Sequence, residues 1–126
     1  VGTVRAASFC VHALPIGRFP SAAHLYSFTG LAPARYESST IRRARAISRT
    51  APGERRDALM GIAWGLSQHC KPFRVRDREL RARGMRPIEA RVALARNACR
   101  LCHRMLQSQE PFDEERYART RHARGR

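Results

Sequence analysis

The 126 residues carry 25 lysines and arginines against 10 aspartates and glutamates, a formal net charge of +15. This length supports one domain with a single modest core, and no run approaches the roughly eighteen apolar residues of a membrane span. Such a balance implies a polyanionic partner. Lys71 is the only lysine, so the charge is carried by guanidinium, the group suited to bidentate phosphate contact.

The N-terminal stretch has no basic n-region and no small-residue cleavage site, so it reads as a helix and not as a signal peptide. Spacing predicts a helix from Thr3 to Leu14. Val4, Ala7, Val11 and Leu14 share one face, with Phe9 and Cys10 widening the apolar side, so the helix is expected to be well buried. Pro15 and Gly17 break it. A second helix follows Phe19 and Pro20, with Ser21 as N-cap and Gly30 as a left-handed stop. His12 and His24 read as packed or solvated residues without chemistry.

Residues 31–52 form a basic loop, long for a connection within one domain. In it Ser38, Ser39 and Thr40 stand directly before Arg42, Arg43 and Arg45, and Arg49 follows. Arginine forks grip phosphate oxygens, and a hydroxyl held among them can donate a hydrogen bond or act as a nucleophile. The same residues also suit an ordinary basic surface loop.

A third helix is expected from about Gly53 to Cys70, burying Leu59, Ile62, Ala63, Leu66 and Cys70 and showing Met60 and Trp64 on a second face. From Lys71 to Arg83 a short charged segment sets Phe73, Asp77 and Leu80 on one side. Arg74, Arg78 and Arg81 form a row on another, able to follow a phosphate backbone or simply to be solvated. Gly84 ends this segment and Pro87 opens the last helix, whose core stripe is Ile88, Val92, Ala95, Cys99, Cys102 and Leu106, with Arg96, Arg100 and Arg104 opposite. Cys99 to His103 spells CxxCH, a haem-attachment pattern, and His103 or His69 could join a zinc site. On the stripe, however, both cysteines read as small core residues. Residues 1–109 thus form an all-α bundle of four or five helices, and 110–126 a disordered basic tail containing Asp113, Glu114 and Glu115. Glu54, Asp57 and Glu89 fall at helix starts, where the macrodipole accounts for them. The carboxylates suggest no two-metal centre, and Ser38 has no histidine nearby in sequence.

Several blocks then fall into a known order. Phe19 to Leu25 (FPSAAHL), Gly30-Leu31-Ala32-Pro33, Tyr36 to Arg42 and Ile47-Ser48-Arg49 resemble the C-terminal domain of a bacterial insertion-sequence transposase family, the IS-one-ten group of IS116/IS902 type. Arg81 to Gly84 with Pro87, Ala90 to Arg96, and Met105-Leu106 before Pro111-Phe112-Asp113 continue the likeness, which runs from about Gly2 to Tyr117. It implies DNA transposition and recombination in the bacterial cytoplasm at the nucleoid, with DNA as partner, a guide (bridge) RNA in characterised members, and a homo-oligomer at full length. It implies two domains: an acidic RuvC-like N-terminal domain that holds divalent metal, and a C-terminal domain whose serine attacks the scissile phosphate. By position after the Gly-Leu-Ala-Pro block that serine is Ser38, with Arg42, Arg43 and Arg45 offsetting charge on phosphorus. No cofactor is expected in this chain. Two departures stand out. The acidic domain has no counterpart in these residues, and Ser39 and Thr40 replace the glycine usual after the serine. The chain is therefore expected to bind DNA and to be inactive alone, as a truncated transposase. The alternative is a non-catalytic basic nucleic-acid-binding module, the remnant of one.

Overall fold

Packing follows from where the largest apolar side chains fall along six α-helices, in a computed structural model that describes residues 3–31 and 50–124. They are α1 (Thr3–Ala13), α2 (Ala22–Thr29), α3 (Thr50–His69), α4 (Lys71–Ala82), α5 (Pro87–Ser108) and α6 (Glu114–Arg124), with a short 3-10 helix at Ile16–Arg18. No strand occurs among the described residues, so the all-α expectation holds. No helix among them is long and apolar enough to cross a membrane.

Helix α3 is the centre, packed against α1, α2, α4 and α5. Its buried residues Leu59, Ile62, Ala63 and Leu66, with Cys70 just beyond its end, are the stripe that the spacing predicts. It begins at Thr50, ahead of the predicted Gly53, because Pro52 falls in the first turn where proline has no hydrogen bond to lose. At the other end Cys70 is extended (φ −113°, ψ 117°) as the N-cap of α4, and Pro72 falls in that helix's first turn, where its missing N–H costs nothing. Helix α5 supplies the opposite wall through Leu94, Ala95, Ala98, Cys99 and Leu101.

The local stops act as the sequence implies. Ser21 Oγ accepts the His24 N–H at 3.4 Å, and Gly30 closes α2 in the left-handed region at φ 80°. Gly84 follows α4 at φ 100°, where any side chain would be strained. Polar groups inside are satisfied: Thr29 Oγ1 donates to the Tyr26 carbonyl at 2.6 Å and Ser67 Oγ to the Trp64 carbonyl at 2.7 Å.

Three expectations need correction. In α1 the face of Val4, Val11 and Leu14 is solvent-exposed, at 79%, 76% and 50%, while Phe9 and Ala13 are buried. The helix has two apolar faces, and the one bearing the aromatic ring, with the most area to remove from water, takes the core. Ile88, expected in the α5 stripe, is 54% exposed, because in the first turn the side of the helix that packs is the one bearing Ala90, which is fully buried. The segment read as a disordered tail forms α6 and is docked. Tyr117 stacks on Phe73 (centroids 5.3 Å, planes 7° apart) and meets Phe112 edge-on, and Glu114 Oε1 accepts the Lys71 N–H at 2.8 Å. Asp113 Oδ1 in turn accepts the Arg116 N–H at 3.1 Å, so two acids of the cluster are spent on helix starts.

Candidate nucleic-acid interface

Ser38, Arg42, Arg43, Arg45 and Arg49 lie outside the described residues. The structure describes the two ends between which they run. On one side Gly30 ends α2, and Leu31 is buried with its carbonyl accepting the Tyr26 hydroxyl at 3.2 Å. On the other α3 begins at Thr50. Arg55, in the second turn of α3, donates from Nε to the Phe28 carbonyl at 2.8 Å and lays its guanidinium 3.9 Å from the Phe28 ring centroid. That contact joins the two ends of the basic segment.

Arg18 shares the same ring. Its Nη2 donates to the carbonyls of His12 (2.6 Å) and Leu14 (3.1 Å), and its Cζ lies 4.9 Å from the Phe19 ring and 5.5 Å from that of Phe28. Burial first, and then the charge of Arg18, lower the Arg55 pKa from its usual value. A guanidinium remains protonated regardless, so the cost stays in the fold as repulsion between neighbouring cations. Neither arginine is noticed by a reading of the sequence. Arg18 follows a broken helix and Arg55 stands in a charged run, and no pattern links positions 27 residues apart such as Phe28 and Arg55.

The second basic surface is on α4. Arg74, Arg78 and Arg81 are all exposed, opposite buried Phe73 and Leu80, so the predicted row exists as one face. Its members are not equivalent. Arg81 Nε is 3.3 Å from Asp77 Oδ2, whereas Arg74 and Arg78 have no carboxylate partner among the described residues. Lys71 is exposed at the head of the same face. On α5, Arg96, Arg100 and Arg104 are likewise exposed, and Arg96 lies over the Tyr26 ring at 5.6 Å.

The remaining chemistry is structural. Among the described residues no group of three or more histidines, cysteines or acids is placed to hold a metal. The acids are occupied elsewhere: Glu79 by Arg76, Glu89 by Arg86, Glu110 by Arg116. Of the acids expected at helix starts, Glu89 lies in a first turn, but the earlier beginning of α3 puts Glu54 and Asp57 beyond one. Burial pushes the thiols of Cys99 and Cys102 up to about 12, which keeps both protonated and poor as ligands. His103 is buried and its Nε2 donates to the Phe19 carbonyl at 2.9 Å, fixing the turn after α1 to α5. Trp64, 38% exposed, carries the Arg5 guanidinium 4.7 Å from its ring.

Comparison with known proteins gives one relation. The family model described as Transposase IS116/IS110/IS902 family matches residues 1–78. No curated protein and no solved structure matches the chain.

Proposed function

The chain belongs to the IS116/IS110/IS902 transposase family, and from that premise we propose that it is the DNA-binding and strand-transfer part of a serine-dependent transposase, with Ser38 as nucleophile. The observation that carries this reading is that the stretch of sequence with Ser38 and five arginines runs between two joined helix ends, on a chain with further arginines that have no carboxylate partner among the described residues. In the proposed step Ser38 Oγ bonds to the scissile phosphorus as the P–O bond to the leaving strand breaks. The serine proton passes to an acid of the family's N-terminal domain, and the departing sugar oxygen takes up a proton. A sugar hydroxyl from the other strand then attacks the phosphoserine and restores Ser38, so the phosphodiester is exchanged without an external energy source. Arg42, Arg43, Arg45 and Arg49 offset charge on the phosphoryl oxygens, and Arg74, Arg78 and Arg81 hold the flanking backbone. The described residues offer no fitting donor set for a divalent metal, and no step here is routed through one.

The reading includes action at the nucleoid, in a homo-oligomer with a guide RNA. Its test is a denaturing gel of labelled DNA incubated with the chain and a family N-terminal acidic domain. A covalent protein–DNA adduct is expected, lost in Ser38→Ala with affinity nearly intact. An adduct that survives the substitution refutes the assignment. A second reading, a binding module without catalysis, draws on the +15 charge alone. It expects steeply salt-dependent binding and no role for Ser38.

A further inference from the structure

We infer that Arg18 and Arg55 form a preformed binding site for the DNA phosphodiester backbone at the foot of the basic segment, an inference that rests on the DNA-binding reading above. Both cations lie against one ring, with Cζ at 5.5 Å and 3.9 Å from the Phe28 centroid, and neither has a carboxylate partner among the described residues. Like charges so placed repel, and an anion between them relieves the repulsion.

The site is built as well as charged. Surface arginines ordinarily lose side-chain entropy when they grip a ligand. Here that loss is incurred on folding: Arg55 is tied through Nε to the Phe28 carbonyl, and Arg18 through Nη2 to the His12 and Leu14 carbonyls. These bonds leave Nη1 and Nη2 of Arg55 and Nη1 of Arg18 without a partner among the described residues, enough N–H groups for one phosphodiester or two successive ones. Arg55 is partly desolvated, which strengthens an ionic hydrogen bond relative to one in water. The ring holds both guanidiniums over an apolar face. A phosphate bound here would lie beside the end of α2 and the second turn of α3, the two described ends of the basic segment.

The rival explanation is that both arginines merely pack on Phe28. Anisotropy titrations of a labelled duplex over a salt series separate the two, using the whole chain, Arg18→Gln, Arg55→Gln and the double variant. Each phosphate contact contributes about 0.9 to the slope of log affinity against log salt, so the double variant should lose about 1.8 from it and bind at least tenfold more weakly at low salt. An unchanged slope and affinity in a folded double variant overturns the inference and leaves the DNA-binding reading standing. A flat slope in the unmodified chain overturns that reading and the inference with it. Should the glutamine variants fail to fold, arginine-selective dicarbonyl labelling of the unmodified chain, read by peptide mass spectrometry, decides instead. Bound DNA should protect Arg18 and Arg55, and equal labelling with and without DNA overturns the site. Protection by an RNA oligonucleotide alone overturns the assignment to DNA.

Discussion

The face that α1 turns inward can be tested with one pair of substitutions. Phe9 is 3% exposed and packs within the core, whereas Val11, two residues along, is 76% exposed. Truncating a buried phenylalanine to alanine removes its transfer energy and leaves a cavity, about 3–5 kcal/mol together. At an exposed helical site valine to alanine loses little burial and gains a few tenths of a kcal/mol in helix propensity. The expected difference between Phe9→Ala and Val11→Ala is therefore about 3–5 kcal/mol, with Val11→Ala neutral or slightly stabilising. Urea unfolding followed by circular dichroism gives both values. Trp64 fluorescence offers an independent probe of the same docking, since Arg5 of α1 lies 4.7 Å from its ring. If Phe9→Ala failed to fold, Phe9→Leu would supply the comparison. A loss above about 1.5 kcal/mol in Val11→Ala, alongside a mild Phe9 variant, would refute the packing described for this helix.

Glutamine substitutions along α4 should separate its arginines: Arg74→Gln and Arg78→Gln each lower the salt slope of DNA binding by about 0.9, and Arg81→Gln less, because Asp77 already occupies that side chain. Equal effects at all three positions would count against the difference in pairing. Tyr117→Ala should cost about 1–2 kcal/mol through loss of the Phe73 stack and partial burial, read as a lower thermal midpoint, while an unchanged midpoint would mean that α6 is not docked. Burial raises the thiol pKa of Cys99 and Cys102 to about 12, so the folded state keeps protons that the unfolded chain releases from about pH 9. Their contribution is complete below that pH and is lost as pH rises towards 12. Stability measured across this window should fall, and less steeply when both cysteines are replaced by alanine.

What could be read from the chain in advance was whatever is decided within a few residues. Ser21, Gly30, Gly84 and Pro87 act on their own backbone neighbourhood, and each occupies the cap, stop or first-turn position expected of it. The α3 stripe was equally plain, because Leu59, Ile62, Ala63 and Leu66 recur at helical spacing on a helix that touches four others. Periodicity failed where two faces competed, as in α1, since spacing ranks positions and not the area each side chain removes from water. It failed again at Ile88, because the side of the first turn that packs is the one bearing Ala90. Phe112 and Tyr117 were hidden in a charged stretch, and Phe73, on which Tyr117 stacks, lies some forty positions away. The interface divides in the same manner. A row such as Arg74, Arg78 and Arg81 follows from helical spacing, whereas Arg18 and Arg55 are brought together only through their shared contact with Phe28.

The contact of Glu114 with the first N–H of α4 ties together residues 43 positions apart, so everything from Lys71 to Tyr117 is a closed circuit held by one carboxylate and one pair of rings. Opening that circuit from its far end would take the Glu114 and Tyr117 contacts from the head of α4, next to Arg74 and Arg78, and leave it held by α3 and α5 alone. The C-terminal helix thus serves as the anchor line of a basic surface it meets only at Lys71, and a frameshift or protease cut after Gln109 would remove that anchor without removing any arginine of the row.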